Sequence, residues 1–250
     1  MNFDEAEQTT MLRDTLRRFI EKEMPRELAR TLDRNASHSR EAFRKLCDLG
    51  VTALAVPEQY GGSGVDILSA IVVIEELAKR GTSLAGPFIH CAFYGALNIL
   101  ENGNEAQKRA LLPKLAQGEI LFAYGLSEPD VGGDLASATV TATLGADGKS
   151  VVINGTKRWV TGARIADYVY TLVRSGPKVD RYRNLSLVLV PTNARGLTIV
   201  DIDHIGLRYA QTTDVIFDEV TVPIESIVGG FDAWNKGWPM LVGRGLDIER

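Results

Sequence analysis

Two segments of the 250-residue sequence are rich in the hydroxyl, charged, aromatic and glycine residues that binding and catalytic sites use. The first, Phe122–Ser137, reads FAYGLSEPDVGGDLAS, and the second, Ile153–Gly162, reads INGTKRWVTG. Within the first segment, Gly132 and Gly133 are suited to bring backbone N–H groups close to a phosphate, because glycine places no side chain in the way. A glycine pair alone is weak evidence, so the two segments have to be weighed together.

Each residue of these segments also has an ordinary structural interpretation. A tryptophan on a strand, such as Trp159, is typical of a protein core. Thr161 fits a strand because threonine favours strands, and Ser127-Glu128-Pro129 is typical of a turn. The residue types by themselves leave both interpretations open.

Other common catalytic patterns are missing from the sequence. No G-x-G-x-x-G follows a strand, and neither a Walker loop nor a G-x-S-x-G elbow occurs. The two cysteines, Cys47 and Cys91, form no C-x-x-C, and His38, His90 and His204 have no ligand spacing. We therefore expect no protein-bound metal.

Charge and hydropathy bear on partners and location. The net charge is −4, from 28 basic and 32 acidic residues without a Lys/Arg cluster, which argues against nucleic acid or an anionic membrane as a partner. The longest apolar stretch, Ile67–Ala78, contains Ser69, Glu75 and Glu76 and falls short of the ~20 residues of a membrane span. The N-terminus of the chain, MNFDEAEQTT, resembles neither a signal peptide nor a transit peptide, so a cytoplasmic location is predicted.

The N-terminal part of the chain has the periodicity of helices. Apolar residues at three- and four-residue steps predict a helix over Met11–Met24, and another apolar helix is predicted over Ala85–Leu100. Ser39 and Asp66 are placed to cap further helices, and Asn104, with Gln three residues later, has the form of a capping box.

Beyond Gly118 the pattern changes to short runs of β-branched residues. Ala138–Leu144 and Val151–Ile153 flank an Asp-Gly turn and predict a hairpin. Further predicted strands are Tyr168–Val173, Leu185–Val190, Val215–Phe217 and Val220–Pro223. Because no helices separate these strands, an antiparallel barrel or sandwich is favoured over a Rossmann sheet.

The predicted fold class is therefore α+β, in three parts. Residues 1–120 form an all-α N-terminal helical domain, residues 121–232 an antiparallel β-barrel middle domain, and residues 233–250 the start of a C-terminal helical bundle. Apolar residues after Gly237 predict a helix that the sequence leaves without a cap at Arg250, so we expect that most of the bundle is missing.

In order and spacing, the two segments resemble the acyl-CoA dehydrogenase family. In that family the first segment reads like A-Y-x-x-T-E-P-x-A-G-S-D and the second like I-N-G-x-K-x-W-I-T-N. The resemblance extends to the loop Pro57–Gly64 (PEQYGGSG) and to Phe217–Pro223 (FDEVTVP), and it covers essentially the whole chain.

The resemblance implies an FAD site. Tyr124, Leu126 and Ser127 match positions that line the flavin with backbone groups and a hydroxyl. Trp159 matches the indole that packs on the flavin ring, and Thr161 matches the hydroxyl beside flavin N5. An aromatic wall of this kind excludes water from a hydride acceptor.

Departures from the family pattern bear on the substrate. Gly133, beside Gly132, stands where the family usually has a serine near the flavin pyrophosphate and the bound acyl-CoA. Gly162-Ala163 replaces the usual Asn-Gly. The resemblance thus implies flavin binding at Gly132 and Gly133 and an acyl-CoA contact at Gly133, but not the identity of the acyl chain.

The family reaction needs a carboxylate base. Leu246–Arg250 (LDIER) resembles the stretch that carries this base in isovaleryl-CoA and long-chain dehydrogenases, which makes Glu249 the candidate. The alternative is that the base lies elsewhere in the C-terminal domain and that Glu249 belongs to a solvated helix pair. Asp247 and Arg250 resemble positions near the bound CoA.

The resemblance implies an FAD-dependent acyl-CoA dehydrogenase that removes the α proton of an acyl-CoA thioester and passes the β hydride to flavin N5. It further implies an electron-transfer flavoprotein as acceptor and a homo-oligomer, either dimer or tetramer. Two alternatives stay open: a truncated, non-catalytic subunit or scaffold of a heteromeric dehydrogenase, and a flavoenzyme of the same fold that reduces an enoyl-CoA or hydroxylates.

Overall fold

The computed structural model describes most of the chain. It covers residues 5–80, 83–206, 208–209 and 211–248, with side chains described as far as residue 242. The chain forms two compact units. A helical unit contains Met1–Leu100, Arg109–Leu121 and His204–Gln211, and a sheet unit contains Glu101–Lys108, Phe122–Asp203 and Thr212–Arg250. The three-part division at residues 120 and 232 stays a prediction.

Helices dominate the chain before the sheet. They are α1 (Glu7–Glu23), α2 (Arg26–Arg34), α3 (Arg40–Cys47), α4 (Ile67–Ala78), α5 (Ala85–Cys91), a π-helical turn (Ala92–Leu97), α6 (Asn98–Asn102) and α7 (Glu105–Ala116). A short antiparallel pair, β1 (Ala55–Val56) and β2 (Gly64–Val65), separates α3 from α4. α2 was not predicted from the sequence, because it is short and has no buried side chain that would produce an apolar stripe.

The predicted helix caps are confirmed. Ser39 accepts a hydrogen bond from the backbone N of Ala42 at 3.1 Å, and Asp66 accepts one from the backbone N of Ser69 at 3.0 Å. Asn104 accepts from the backbone N of Gln107 at 2.9 Å, while the Gln107 side chain accepts from the backbone N of Asn104 at 3.1 Å. This is the reciprocal capping box that the spacing predicted.

The helix predicted over Ala85–Leu100 is interrupted by the π-helical turn. A wider turn leaves carbonyl groups without their usual helical partners. The Asn98 side-chain amide donates to the carbonyls of Phe93 and Tyr94, within this turn, at 3.0 and 3.3 Å. A contact of this kind depends on one side chain and leaves no periodic signal in the sequence.

A buried carboxylate ties α4 to α1. Glu76 is 1% exposed and accepts hydrogen bonds from Arg13 at 2.8 Å, Lys79 at 2.7 Å and Arg17 at 3.2 Å. Burial alone would raise the pKa of the Glu76 carboxyl, but these three cations lower it to about 2. The core of the helical unit is thus joined by charge as well as by apolar packing.

The sheet unit contains the remaining strands and one helix. They are β3 (Phe122–Gly125), β4 (Thr141–Leu144), β5 (Ser150–Thr161), β6 (Tyr168–Arg174), β7 (Leu185–Pro191), β8 (Leu197–Ile202), β9 (Thr212–Pro223) and α8 (Gly237–Ile248). β6 pairs with β7 along one edge and with β3 and β4 along the other, and β5, β9 and β8 follow in that order. The hairpin predicted from the Asp-Gly turn is β4–β5, and the helix predicted after Gly237 is α8.

The predicted antiparallel barrel needs a correction. β3 runs parallel to β6, with Phe122 opposite Tyr168 and Gly125 opposite Thr171, so the sheet is mixed. In the described residues no pairing joins β7 to β8, so the sheet is also open. Parallel neighbours need a crossover connection, and here the β4–β5 hairpin supplies it in place of a helix.

Two bulges interrupt the pairing of β5 with β9. Predicted strands Val215–Phe217 and Val220–Pro223 are one strand, because Glu219 adopts a left-handed φ of 51° and absorbs an extra residue. Asn154 holds this bulge by accepting from the Glu219 backbone N at 2.8 Å and donating to the Glu219 carboxylate at 2.7 Å. A second bulge, on β5, lies between Lys157 and Val160.

Across the described ranges, no helix is long and apolar enough to cross a membrane. Nor does that part of the chain group three His, Cys, Asp or Glu side chains as a metal ion would require. Cys47 and Cys91 are both free thiols in the core.

We expect Glu76→Gln to lower the free energy of unfolding at neutral pH by about 1–3 kcal/mol, since it removes the charge that three cations share. Because the folded pKa lies below the ordinary value of 4.5, the contribution of Glu76 is complete above pH 4.5 and disappears as the pH falls towards about 2. Urea unfolding over this range measures it. The matched control is Glu75→Gln, whose carboxylate is mostly exposed. An equal loss in both variants, or one that persists at pH 2, would contradict the assignment.

Candidate functional site

The two sequence segments meet side by side in the sheet unit. The backbone N of Arg158 donates to the Ser127 carbonyl at 2.8 Å, and the Lys157 ammonium donates to the Leu126 carbonyl at 2.9 Å. Leu126 and Ser127, both half-buried, therefore lie beside β5 immediately before Trp159. The structure thus brings together three of the predicted site residues.

A buried ion pair fixes this contact. The Lys157 ammonium lies 2.8 Å from the Glu128 carboxylate, and the two side chains are 0% and 1% exposed. Glu128 also accepts from the backbone N of Thr139 at 2.7 Å, from its hydroxyl at 2.5 Å, and from the backbone N of Val140 at 3.0 Å. Ionised oxygens with this many donors are fully compensated for the loss of water.

Burial and pairing act against each other on the two groups. Burial alone would raise the pKa of the Glu128 carboxyl, but the Lys157 charge and the donors on Thr139 and Val140 hold it below its usual value. Burial lowers the pKa of the Lys157 ammonium to about 8, despite the attraction of Glu128. At neutral pH both groups are charged, and the pair joins the Ser127 segment to β5.

Trp159 is not a core residue. Its side chain is 58% exposed, and its φ of 61° is left-handed. The bulge explains this placement: an extra residue between the buried Lys157 and Val160 lets both Arg158 and Trp159 leave the core face of β5. The core interpretation of this tryptophan is therefore wrong.

Thr161 follows Trp159 on β5 and is half-buried. Its Cα pairs with that of Thr212, and the neighbouring Thr213 hydroxyl donates to the Val160 carbonyl at 2.8 Å. The end of β5 is thus held in register with β9, which fixes the position of Thr161 relative to Trp159.

Tyr124 lies on β3 with its ring beside a buried tyrosine. Its ring centroid is 5.5 Å from that of Tyr170. The next residue, Gly125, has no room for a side chain, because an added Cβ would lie 2.8 Å from Cγ1 of Val169. Close packing of β3 on β6 therefore positions both Tyr124 and the Leu126 carbonyl that follows.

Gly132 and Gly133 lie in an exposed loop of the first segment. The loop begins at a tight turn in which the backbone N of Glu128 donates to the Val131 carbonyl at 2.7 Å and that of Val131 donates back at 3.2 Å. A Cβ added at either glycine would meet no atom within 4 Å. The loop thus has space for a ligand group or for the serine that the family carries at Gly133.

Three predicted residues cannot be placed with their side chains. Glu249 and Arg250 lie outside the described residues. Asp247 is in α8, but its side chain also lies outside them. The assignments of these three residues stay predictions.

Glu128, Lys157 and Arg158 lie within the two segments, but the family resemblance assigns them no role. The sequence does indicate that these charges have partners. They are flanked by apolar and strand residues, and a charge that becomes buried there must be paired. Arg158 has such a partner in Asp214, which lies 56 residues further along the chain. Only the folded sheet identifies that pair.

The arrangement suits a flat polar ring linked to a phosphate. An exposed indole offers an aromatic face, Ser127 and Thr161 offer hydroxyls, and the loop at Gly132 and Gly133 offers backbone groups in open space. The residues present therefore fit the kind of cofactor that the resemblance implies.

Family models match most of the chain. The model of the acyl-CoA dehydrogenase N-terminal domain matches residues 6–119, and that of the acyl-CoA dehydrogenase middle domain matches residues 123–220. The matched ranges contain every described site residue except those in α8.

Individual proteins give the same result. The probable acyl-CoA dehydrogenase YngJ of Bacillus subtilis is 33% identical over 230 residues, covering 92% of this chain and 60% of that protein. The mitochondrial isovaleryl-CoA dehydrogenase of Pongo abelii is 31% identical over 98% of this chain and 57% of its own length. A solved acyl-CoA dehydrogenase of Bacillus anthracis, complexed with FAD, has a TM-score of 0.83 and 29% identity over 96% of this chain and 39% of that one. The chain thus spans little more than half of the two relatives.

We expect Glu128→Gln to destabilise the sheet unit by about 3 kcal/mol, because it leaves the buried Lys157 ammonium without a counter-charge. Since the pKa of Glu128 is lowered in the folded state, its contribution is present at neutral pH and is lost on acidification. Urea unfolding at neutral and acidic pH measures both effects. Glu219→Gln, at an exposed carboxylate of the same unit that bonds the Asn154 side chain, is the control. A loss no larger than that of the control would show that the ion pair contributes little.

Proposed function

The chain belongs to the acyl-CoA dehydrogenase family, and from this premise we propose that it forms the helical and sheet parts of an FAD-dependent enzyme that oxidises an acyl-CoA thioester. The observation that carries the proposal is Trp159. This large aromatic side chain is 58% exposed on the sheet, beside Ser127 and Thr161. Its exposure is explained if a ring packs on it.

The residues proposed to hold FAD are those that the resemblance matched. Trp159 would pack on the flavin ring, with Tyr124, Leu126 and Ser127 along its polar edge and the Thr161 hydroxyl near N5. Gly132 and Gly133 would approach the pyrophosphate with their backbone N–H groups. When bound, FAD supplies the acceptor for two electrons and a proton, delivered as a hydride. The B. anthracis relative that was solved with FAD supports this choice of cofactor.

The protein's own part of the reaction is to take a proton. We place this role on Glu249, which would remove the α proton of the thioester while the β hydrogen leaves as hydride. A carboxylate suited to this task needs a dry surrounding, because desolvation raises its pKa towards neutrality. Asp247 and Arg250 would lie near the CoA, where the fixed donors of an arginine suit a phosphate.

The proposed partners follow from the family. An electron-transfer flavoprotein would reoxidise the enzyme, and further copies of the chain, as a dimer or tetramer, would complete the assembly. A cytoplasmic location stays a prediction from the sequence.

We expect Trp159→Ala to weaken FAD binding by about tenfold, since it removes one face of the ring's surroundings. Titration of the flavin-free, full-length protein with FAD, followed by flavin fluorescence, measures the dissociation constant. Phe231→Ala is the matched control, because Phe231 is also an aromatic of the sheet unit, 53% exposed, and lies outside both segments. An unchanged dissociation constant in Trp159→Ala would place the cofactor elsewhere.

We expect Glu249→Gln to reduce turnover of an acyl-CoA by at least about a hundredfold while FAD stays bound, because the variant cannot accept the α proton. The measurement is single-turnover bleaching of the flavin absorbance in the full-length protein, so that loss of chemistry is separated from loss of cofactor. Full turnover in this variant would move the base to another residue of the C-terminal domain. If the wild-type protein binds FAD but no acyl-CoA bleaches the flavin absorbance, the result would favour the non-catalytic subunit.

A further inference from the structure

Arg158 is held rigidly next to the exposed indole. Its Nε lies 2.9 Å from Oδ1 of Asp214 and its Nη2 lies 2.7 Å from Oδ2, so both donors of one edge meet both carboxylate oxygens. Such a two-point contact fixes the plane of the guanidinium as well as its position, which a lysine could not do.

The bulge in β5 creates this arrangement. Lys157 pairs with Val215 and Val160 pairs with Thr213, so Arg158 and Trp159 together lie opposite the single residue Asp214. Asp214 therefore holds Arg158, the first of the two bulge residues. Trp159, the second, is its direct neighbour in the chain.

The guanidinium also contacts the indole itself. Its central carbon lies 5.8 Å from the centroid of the Trp159 ring, within the range of a cation–π interaction. An indole that is 58% exposed has few neighbours to select its rotamer. Arg158 supplies one such neighbour, and the Asp214 carboxylate keeps Arg158 in place.

We propose that Arg158 and Asp214 form a positioning pair that holds the Trp159 indole in the orientation in which it packs on the flavin. The inference rests on the proposed flavin site, but the restraint on the indole exists without the cofactor. Neither residue needs to touch the substrate or the reacting atoms. Their role is to order the indole before the flavin ring binds, so that less conformational entropy is lost on binding.

A first experiment tests the restraint without flavin. The sequence has three tryptophans, so Trp234→Phe with Trp238→Phe leaves Trp159 as the only indole. In this background of the 250-residue chain, we expect Asp214→Asn to raise the acrylamide quenching rate of Trp159 about twofold and to lower its fluorescence anisotropy. Asp201→Asn is the control, because it breaks the exposed Arg164–Asp201 pair of the same sheet. Equal changes in both variants, or none in Asp214→Asn, would overturn the proposal.

A second experiment asks whether the restraint acts through Trp159. We expect Asp214→Asn and Arg158→Gln each to raise the FAD dissociation constant three- to tenfold, and Arg158→Lys to recover only part of this. In a Trp159→Ala background, Asp214→Asn should have no further effect. The same loss with and without the indole would show a purely structural pair and overturn the proposal.

The two experiments separate this proposal from the proposed function. If Trp159→Ala leaves FAD binding unchanged, the flavin site is misplaced, and the positioning role is overturned with it even where quenching shows a restrained indole. If Trp159→Ala weakens FAD binding while Asp214→Asn changes neither quenching nor affinity, the flavin site stands and only the positioning pair fails. Arg158→Lys keeps the positive charge and serves as the milder variant should Arg158→Gln not fold.

Discussion

The site depends on one buried ion pair, that between Glu128 and Lys157. Two charges with almost no solvent exposure are stable only when each has its counter-charge and its remaining donors or acceptors satisfied. Here the requirement is met with the turn after Ser127 against β5 and the backbone of Thr139 behind it. A segment rich in turn residues, which has little structural preference of its own, is thereby fixed to β5, one of the two longest strands of the sheet unit.

Local features of the fold were predictable because their causes are local. The caps at Ser39, Asp66 and Asn104 each join residues three positions apart, and the β4–β5 hairpin needs only its Asp-Gly turn. The parallel pairing of β3 with β6 was not predictable in this way. Period-two runs indicate strands but not their direction, and the usual sign of a parallel pair, a connecting helix, is replaced here by a hairpin.

The site shows the same division between residue type and geometry. The resemblance selected Trp159, Ser127 and Thr161, since motif order is a property of the sequence. Exposure of the indole follows from a bulge, and a bulge leaves no mark in the hydrophobic pattern beyond one extra residue. The partner of Arg158 lies on another strand, 56 residues along the chain, so charge alone does not identify it.

The parallel pairing of β3 has a consequence for how the chain acquires its structure. β3 and its partner β6 are separated by about forty residues, whose closure costs more entropy than that of a hairpin. During synthesis β3 leaves the ribosome first and has no neighbour until β4, β5 and β6 have followed. We therefore expect the strand that leads into the site to become protected from hydrogen exchange only once β6 has formed. In the interval its apolar residues Phe122 and Ala123, buried in the final structure, are available to chaperones or to misassembly.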